Sequence, residues 1–285
     1  MNKRFWSVCL AIALLLGIFT FVPLHASAAS EMTTSEECLS VIKELEGFSK
    51  TPYKDTDAIL TVLTEDQGKL TVKARGLRRK NSPLVAPCQL LAYGEFVLFE
   101  YKGQYTVNEA YSIELFQALR RDLTKLSLGT YFAQVAELIS QEDLPNPELL
   151  SLLLNCLFGL SGLNLPEQKV KSVFELRAAC LAGYTPDLFG CHICGSQEPN
   201  RFDLSAGQLE CSGCRHMDTS GIRMPVNPSV LEAMRYICYC DPKKLFAFQV
   251  GQETFCKLAD LSEAYLTTQL ERGFSTLDFY KSLLI

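Results

Sequence analysis

The sequence lacks a net positive charge, any low-complexity tract and any internal repeat. It contains 27 lysine and arginine residues and 32 aspartate and glutamate residues, so its formal net charge is −5. A protein that binds nucleic acid through an overall basic surface is therefore excluded, and any such binding requires a local basic patch. The missing repeat excludes solenoid and propeller architectures. A chain of 285 residues is long enough for two modest domains with cores of their own.

The first thirty residues have the three-part form of a secretory leader. Lys3 and Arg4 give a positive start, residues 5–24 carry no charge, and residues 26–28 are small enough for cleavage. Because about 20 apolar residues can also span a bilayer, an uncleaved anchor is the alternative. The small-residue exit favours the signal peptide, which predicts export.

Residues 31–52 predict an amphipathic helix, because apolar side chains recur at helical spacing on one face. The stretch that runs through Glu46-Gly47-Phe48 and then Tyr53-Lys54-Asp55-Thr56 resembles the opening of phage-type lysozymes. This resemblance, over about residues 1–56 with the leader, implies that Glu46 is a general acid and Asp55 the second carboxylate. The hairpin and helical lobe that complete the sugar cleft in that family have no counterpart here. We therefore expect an inactive relic, whose acids are ordinary surface residues.

From residue 53 to residue 110 the pattern predicts a small β-domain. Short apolar runs are separated by turn signals, and segments 96–101 and 105–110 flank Gly103 as a hairpin. Several short strands with turns between them are typical of a small barrel or sandwich.

One segment of this β-domain, residues 69–80, contains six cationic residues and no acid. Such a strip neutralises phosphates and gains affinity through counterion release. We predict that it contacts nucleic acid, and a merely solvated strand and loop is the alternative. The candidate residues are Lys69, Lys73, Arg75, Arg78, Arg79 and Lys80, with Arg120, Arg121 and Lys125 as weaker candidates on a helix surface.

Residues 111–285 predict a helical domain. Apolar residues recur near helical spacing from Ile113 to Leu138, and segment 147–163 is apolar on most sides, which is typical of a buried helix. Further helices are predicted over 169–184, 228–240 and 258–271.

The strongest chemical signal is a pair of C-x2-C motifs separated by 16 residues, formed by Cys191, Cys194, Cys211 and Cys214. Each pair places two thiolates on one turn, and two such turns complete a tetrahedral zinc site. Four protein ligands leave no open coordination position, so the predicted zinc is structural. Two disulfides are the alternative. His192 and His216 lie next to the motifs but are not among the four predicted ligands.

Seven other cysteines lie among apolar residues and are predicted to be core thiols, which favours a reducing compartment and conflicts with the leader. They are residues 38, 88, 156, 180, 238, 240 and 256.

Three stretches together resemble the bacterial DNA repair and recombination proteins of the RecO family. They are YKDTDAILTVLTEDQGKLTVKARGLRRKNSPL, FELRAACLAGYTPDLFGCHICG and LERGFSTLDFYKSL. The resemblance covers residues 53–285 and implies an α+β fold: an N-terminal OB-fold β-barrel, then an α-helical domain with a four-cysteine zinc-ribbon insertion at 191–214. The strand with which that family begins has no counterpart before Tyr53, so we expect a truncated barrel.

The same resemblance implies a protein without enzyme activity that binds single- and double-stranded DNA and anneals complementary strands. It would help to load a recombinase, with RecR and the acidic tail of single-strand-binding protein as partners and no small-molecule substrate. It would act in the cytoplasm, at the nucleoid. Because both resemblances share Tyr53–Thr56, the sequence indicates a chimera. An exported peptidoglycan hydrolase fragment and a zinc-ribbon interaction module without a DNA role are the alternatives.

Overall fold

The structure, a computed structural model, describes residues 5–6, 50–53, 56–214 and 221–284. The predicted amphipathic helix with Glu46, the second carboxylate Asp55 and almost all of the leader-like segment lie outside the described residues. Within the described part, an N-terminal sheet is followed by helices, so the predicted α+β class is confirmed.

Six strands form the N-terminal sheet, in the order β1-β5-β6-β4-β3-β2. All neighbours are antiparallel except β4 and β6, which pair in parallel. The sheet already includes residue 50, ahead of the predicted start at residue 53, while the OB-fold barrel and its closure stay a prediction. The strands are β1 (Phe5–Trp6), β2 (Lys50–Tyr53), β3 (Asp57–Thr64), β4 (Gly68–Ala74), β5 (Tyr93–Tyr101) and β6 (Gln104–Glu114).

Strand β4 shows why this segment forms a two-faced sheet. Leu70, Val72 and Ala74 are buried, whereas Lys69 and Lys73 alternate with them on the opposite face. Successive side chains of a strand point to opposite faces, so apolar residues at every second position cover the sheet's own core. The polar residues between them point away from that core.

Helices form most of the rest of the chain. Asp122, Asn146 and Asn227 each cap a helix by accepting hydrogen bonds from backbone N–H groups of the first turn. The helices are α1 (Gln117–Arg120), α2 (Leu123–Ile139), α3 (Pro147–Ser161), α4 (Glu167–Leu181), α5 (Pro228–Tyr239), α6 (Gln252–Gln269) and α7 (Ser275–Ser282). None of the helices in the described ranges is long and apolar enough to cross a membrane.

The prediction that Ile113 lies on the first helix is wrong. Strand β6 continues to Glu114, which pairs with Tyr93 of β5. The apolar spacing after residue 110 fits an alternating strand as well as a helix. Pairing with β5 makes this segment a strand.

The helical core surrounds α4, ten of whose residues are buried. Phe174 of α4 stacks on Phe132 of α2 with ring centroids 4.2 Å apart, an arrangement that stabilises beyond the buried area alone. Between α4 and α5 the chain adds a small sheet of β7 (Arg201–Asp203), β8 (Gln208–Glu210) and β9 (Arg223–Pro225), in the order β8-β7-β9.

The turn between β3 and β4 touches the connection between α2 and α3 at Gly68. This residue has φ +68°, and a Cβ there would lie 2.1 Å from the carbonyl oxygen of Leu144. We expect Gly68→Ala to lower the free energy of unfolding by about 3 kcal/mol or more, because it adds a clash to the backbone strain. Urea unfolding followed by circular dichroism measures the loss.

Gly103→Ala is the matched control for this prediction. Gly103 has φ +73°, but its added Cβ would meet nothing within 4 Å. The free energy of unfolding of the control should therefore fall by only about 1–2 kcal/mol, which is what a left-handed backbone conformation costs an alanine. Equal losses in the two variants would contradict the argued contact between the hairpin and the α2–α3 connection.

Candidate nucleic-acid surface and cysteine cluster

The basic strip continues from β4 into a tight turn that is held by hydrogen bonds. The carboxylate of Asp57 accepts from the backbone N–H of Gly76 at 2.9 Å, and the N–H of Arg78 donates to the Thr56 carbonyl at 3.0 Å. These bonds fix the turn to the start of β3. Arg75, Arg78, Arg79 and Lys80 are all exposed, so the structure presents four predicted cations on one ordered segment.

The other two cations of the strip are less accessible. Lys73 is half-buried on the outer face of β4, next to Ile59 of β3. The ammonium group of Lys69 donates to the Glu137 carbonyl of α2 at 3.2 Å. Lys69 therefore lies against the helices, at the opposite end of the strand from the turn.

The three weaker candidates differ from one another. Arg120 is half-buried and donates to the carbonyls of Leu115 at 3.0 Å and Leu90 at 2.6 Å, and this burial lowers the pKa of its guanidinium. Lys125 donates to the side-chain oxygen of Asn164. Arg121 is exposed. Arg120 and Lys125 thus each bind to a segment outside their own helix.

A groove runs beside the basic turn. Arg75 and Arg79 line it on one side, and Asn108 and Tyr111 of β6 line it on the other. The volume of the groove is about 660 Å³. The structure thus joins predicted cations to an aromatic residue that the sequence reasoning missed, because it ended the strand at residue 110. The alternation of β6 past that point was the signal for Tyr111.

The four predicted metal ligands come together. The sulfur atoms of Cys191, Cys194, Cys211 and Cys214 all lie within 4.8 Å of one another, and those of Cys194 and Cys211 are 3.6 Å apart. A tetrahedral zinc site with Zn–S bonds of about 2.3 Å requires sulfur atoms about 3.8 Å apart. The cluster therefore fits a tetrahedral metal ion, and sequence spacing alone identified all four of its members.

Backbone turns direct these thiols toward one point. The N–H of Gly195 donates to the Cys191 carbonyl at 2.8 Å, and Gly195 has φ +73°, a conformation that favours glycine. Burial raises the pKa of Cys191, but N–H groups of Cys194, Ile193 and Cys211 outweigh it and lower that pKa to about 6. The thiolate form, which metals bind, is thereby favoured.

Once Cys191 is a thiolate, a second thiolate beside it is disfavoured. The hydrogen bond with Cys194 is the main cause that raises the pKa of Cys214 to about 12. A cation at the centre removes this conflict, since metal binding deprotonates all of its thiol ligands. The imidazole of His192 lies 3.7 Å from the Glu210 carboxylate, and His216 lies outside the described residues.

The remaining cysteines are only partly the core thiols that the sequence predicted. Cys88, Cys156 and Cys238 are buried, and Cys180 and Cys240 are half-buried. Cys256 is exposed on α6, so the prediction is wrong for that residue, because it falls on the solvent side of an amphipathic helix. Cys38 lies outside the described part.

These features define a mixed α+β protein with an exposed basic turn on its sheet and a four-cysteine cluster that can hold one metal ion. The chain belongs to the RecO family. Residues 48–116 match the model described as "Recombination protein O N terminal", and residues 120–278 match "Recombination protein O C terminal".

Curated relatives agree with this membership. The DNA repair protein RecO of Acetivibrio thermocellus is 33% identical over 231 residues, which cover 80% of this chain and 91% of its own. Those of Alkaliphilus metalliredigens and Bacillus subtilis are 29% and 28% identical, over 81% and 75% of this chain and 94% and 83% of theirs. These relatives support a role in DNA repair.

Proposed function

We propose that this protein is a DNA-binding repair mediator that anneals complementary single strands and assists recombinase loading. The observation that carries the proposal is the ordered basic turn with its exposed cations Arg78, Arg79 and Lys80 on an acidic chain. A local positive patch on a negative protein concentrates phosphates at one place and leaves the rest of the surface unattractive to DNA.

Annealing by this surface needs no bond chemistry and no catalytic residue. Cations that screen two phosphate backbones let complementary bases meet, and the base pairs supply the free energy. The groove lined by Arg75, Arg79 and Tyr111 leads away from the turn, so a strand can extend from the cations onto the sheet. We infer a protein without enzyme activity or small-molecule substrate, acting in the cytoplasm at the nucleoid.

The partners that we propose are RecR and the acidic C-terminal tail of single-strand-binding protein, on the ground of family membership. A mediator has to reach DNA that is already covered, so contact with the covering protein brings it to the strand.

A structural zinc ion completes the proposal. Cys191, Cys194, Cys211 and Cys214 would hold it, and the ion would supply folding free energy by cross-linking two turns. The four thiols fill a tetrahedral shell, so these residues fix the fold around β7 and β8.

Salt-dependent binding to a single-stranded oligonucleotide tests this function. Changing Arg78, Arg79 and Lys80 together to Ala should weaken binding at least tenfold at low salt. It should also flatten the slope of log K against log salt by about 2, since each phosphate contact on a single strand contributes about 0.7. Fluorescence anisotropy at several salt concentrations measures both quantities.

The control changes three other exposed cations, Lys243, Lys244 and Arg272, to Ala. It alters net charge by the same amount but leaves the basic turn intact, so affinity should fall less than twofold. Equal weakening in the two variants would show that net charge alone governs binding and would contradict the proposed site.

A further inference from the structure

Three cysteines outside the metal cluster lie where helices α4 and α5 end. Cys180 is the last residue but one of α4, Cys238 is the last but one of α5, and Cys240 follows α5 directly. All three are free thiols. The chain between the two helices carries the small sheet and the four-cysteine cluster. The two ends of that segment therefore each carry a cysteine.

Hydrogen bonds hold the end of α5 against the end of α4. The guanidinium of Arg177 on α4 donates to the Cys238 carbonyl at 2.8 Å. The hydroxyl of Tyr239 donates at 2.7 Å to the carbonyl of Pro186, just after α4. Residues three apart on a helix are neighbours on its surface, so Cys180 lies on the side of α4 from which Arg177 reaches α5.

The two thiols at this contact touch each other. The side chains of Cys180 and Cys238 share a hydrogen bond. Cys238 belongs to the helical core, and Cys180 packs against that core. Two cysteines can be bridged without backbone movement only when they already lie close together and are directed toward each other. This pair meets that condition, and the backbone on both sides is held in place.

The surroundings of Cys180 favour the thiolate, which is the form of cysteine that attacks oxidants. The hydrogen bond with Cys238 is the main cause that lowers the pKa of Cys180, and it outweighs the effect of burial. A hydrogen bond with Thr185 and the charge of Arg177 act in the same direction. Cys180 is half-buried, whereas Cys238 is only 6% exposed. Cys180 is thus both the more nucleophilic and the more accessible thiol of the pair.

We propose that Cys180 and Cys238 form a reversible disulfide when the protein meets hydrogen peroxide. The Cys180 thiolate attacks one peroxide oxygen and the O–O bond breaks, which leaves a sulfenic acid on Cys180. The hydroxide that leaves takes up the proton that Cys180 had lost. The Cys238 sulfur then attacks the sulfenic sulfur, the S–O bond breaks, and the second hydroxide takes the Cys238 proton. Two thiols are oxidised to one disulfide, and one peroxide is reduced to two water molecules.

This disulfide would close residues 180–238 into a loop that contains all four cysteines of the cluster. Cross-linking removes conformational entropy from the unfolded chain, and it removes more for a longer loop. The bond would therefore keep the two ends of the segment together when the cluster loses its metal ion. Disulfides of proteins in a reducing compartment are typically transient and sense oxidants. The site does not depend on the proposed DNA binding.

Peptide mapping under non-reducing conditions tests the site on the unchanged chain after brief treatment with hydrogen peroxide. Chymotrypsin cleaves after aromatic residues, so cleavage at Tyr184 separates Cys180 from the metal cluster, and cleavage at Tyr239 separates Cys238 from Cys240. We expect the peptides of Cys180 and Cys238 to be joined in roughly half of the molecules or more, and dithiothreitol should release them.

Thermal unfolding measures the effect of the cross-link. After a chelator has removed metal from both samples, the oxidised chain should melt about 5 °C or more above the reduced chain. Cys240→Ser is the matched control, because Cys240 is also half-buried and lies two residues beyond Cys238. It should form the same cross-link and show the same rise. Cys180→Ser and Cys238→Ser should each lose both.

The mapping of the unchanged chain decides the proposal even if a variant does not fold. Absence of a joined Cys180–Cys238 peptide would overturn it, whether Cys180 pairs with Cys240 instead or only the metal cluster is oxidised. A joined peptide without any rise in melting temperature would overturn the stabilising role of the bond. Loss of DNA binding in the basic-turn variant has no bearing on either result.

Discussion

Changing Cys211 and Cys214 together to Ser is expected to abolish binding of the proposed zinc ion and to lower the melting temperature by about 10 °C or more. A serine hydroxyl does not replace a thiolate as a zinc ligand, so only Cys191 and Cys194 would remain. The apolar cluster here is small: three of the cysteines themselves, with Ile193 packed against them. Backbone hydrogen bonds, such as that from the N–H of Cys191 to the Ser196 carbonyl at 2.9 Å, also hold these turns, but a structural zinc site contributes much of the folding free energy of such a unit.

Elemental analysis and thermal unfolding measure this effect on purified protein. The unchanged chain should contain about one zinc ion per molecule, and the variant should contain less than a tenth of that. Cys256→Ser is the matched control, because Cys256 is exposed and outside the cluster. It should keep both the zinc and the melting temperature. Metal-free protein with two disulfides, detected by mass under non-reducing conditions, would contradict the zinc site.

Changing Lys171 to Met is expected to cost about 3–5 kcal/mol of stability, because it leaves a buried carboxylate without its cation. The ammonium group of Lys171 lies 2.9 Å from both the Glu175 and the Glu263 carboxylates. The side chain of Glu175 is 0% exposed. It also accepts hydrogen bonds from Tyr131 at 2.9 Å and Ser262 at 2.6 Å, which hold it in place and cannot neutralise it.

The double variant Lys171→Met, Glu175→Gln is the control for this prediction. It removes both buried charges, while Glu263 keeps its ion pair with Lys281 at 2.7 Å. It should therefore recover most of the stability that the single variant loses. Urea unfolding of the three proteins measures the difference, and a loss below about 1 kcal/mol in the single variant would show that the ion pair is not needed.

The same ion pair predicts a fall in stability at alkaline pH. Burial alone would lower the pKa of Lys171, but Glu175 and Glu263 outweigh it and raise that pKa above its ordinary 10.5. A raised lysine pKa stabilises the fold below pH 10.5 and loses this effect as pH rises through the higher value. Lys171→Met should lack this part of the alkaline fall.

Local features of the sequence predicted local features of the structure. The cysteine cluster could be found because each C-x2-C pair is a single turn. Helix α3 could be predicted because its segment is apolar on most sides, whereas α6 begins at Gln252, ahead of its predicted start at residue 258. Alternation within β4 is enough to put Lys69 and Lys73 on the face opposite the buried Leu70 and Val72. Each of these depends on residues close together in the chain.

Features that depend on distant pairing could not be predicted in this way. The parallel pairing of β4 with β6 brings Lys73 beside Thr106, and no pattern within either strand encodes that register. The packing of α2 on the sheet gives Lys69 a carbonyl partner. Similarly, Glu175 belongs to a recognisable FELR stretch, but Ser262 and Glu263 lie on α6, far along the chain.

The chimera stays a prediction. The match to the N-terminal family model begins at residue 48, and the lysozyme-like carboxylates Glu46 and Asp55 lie outside the described residues. The candidate surfaces and the cysteine cluster all lie after that point.

Strand annealing by the full chain tests the central claim most directly. Two complementary oligonucleotides, one with a fluorophore and one with a quencher, report pairing as a loss of fluorescence. We expect the unchanged protein to accelerate annealing at low salt, and the Arg78, Arg79 and Lys80 to Ala variant to lose that acceleration. No acceleration by the unchanged protein, or equal acceleration by the variant, would contradict an annealing function that depends on the basic turn.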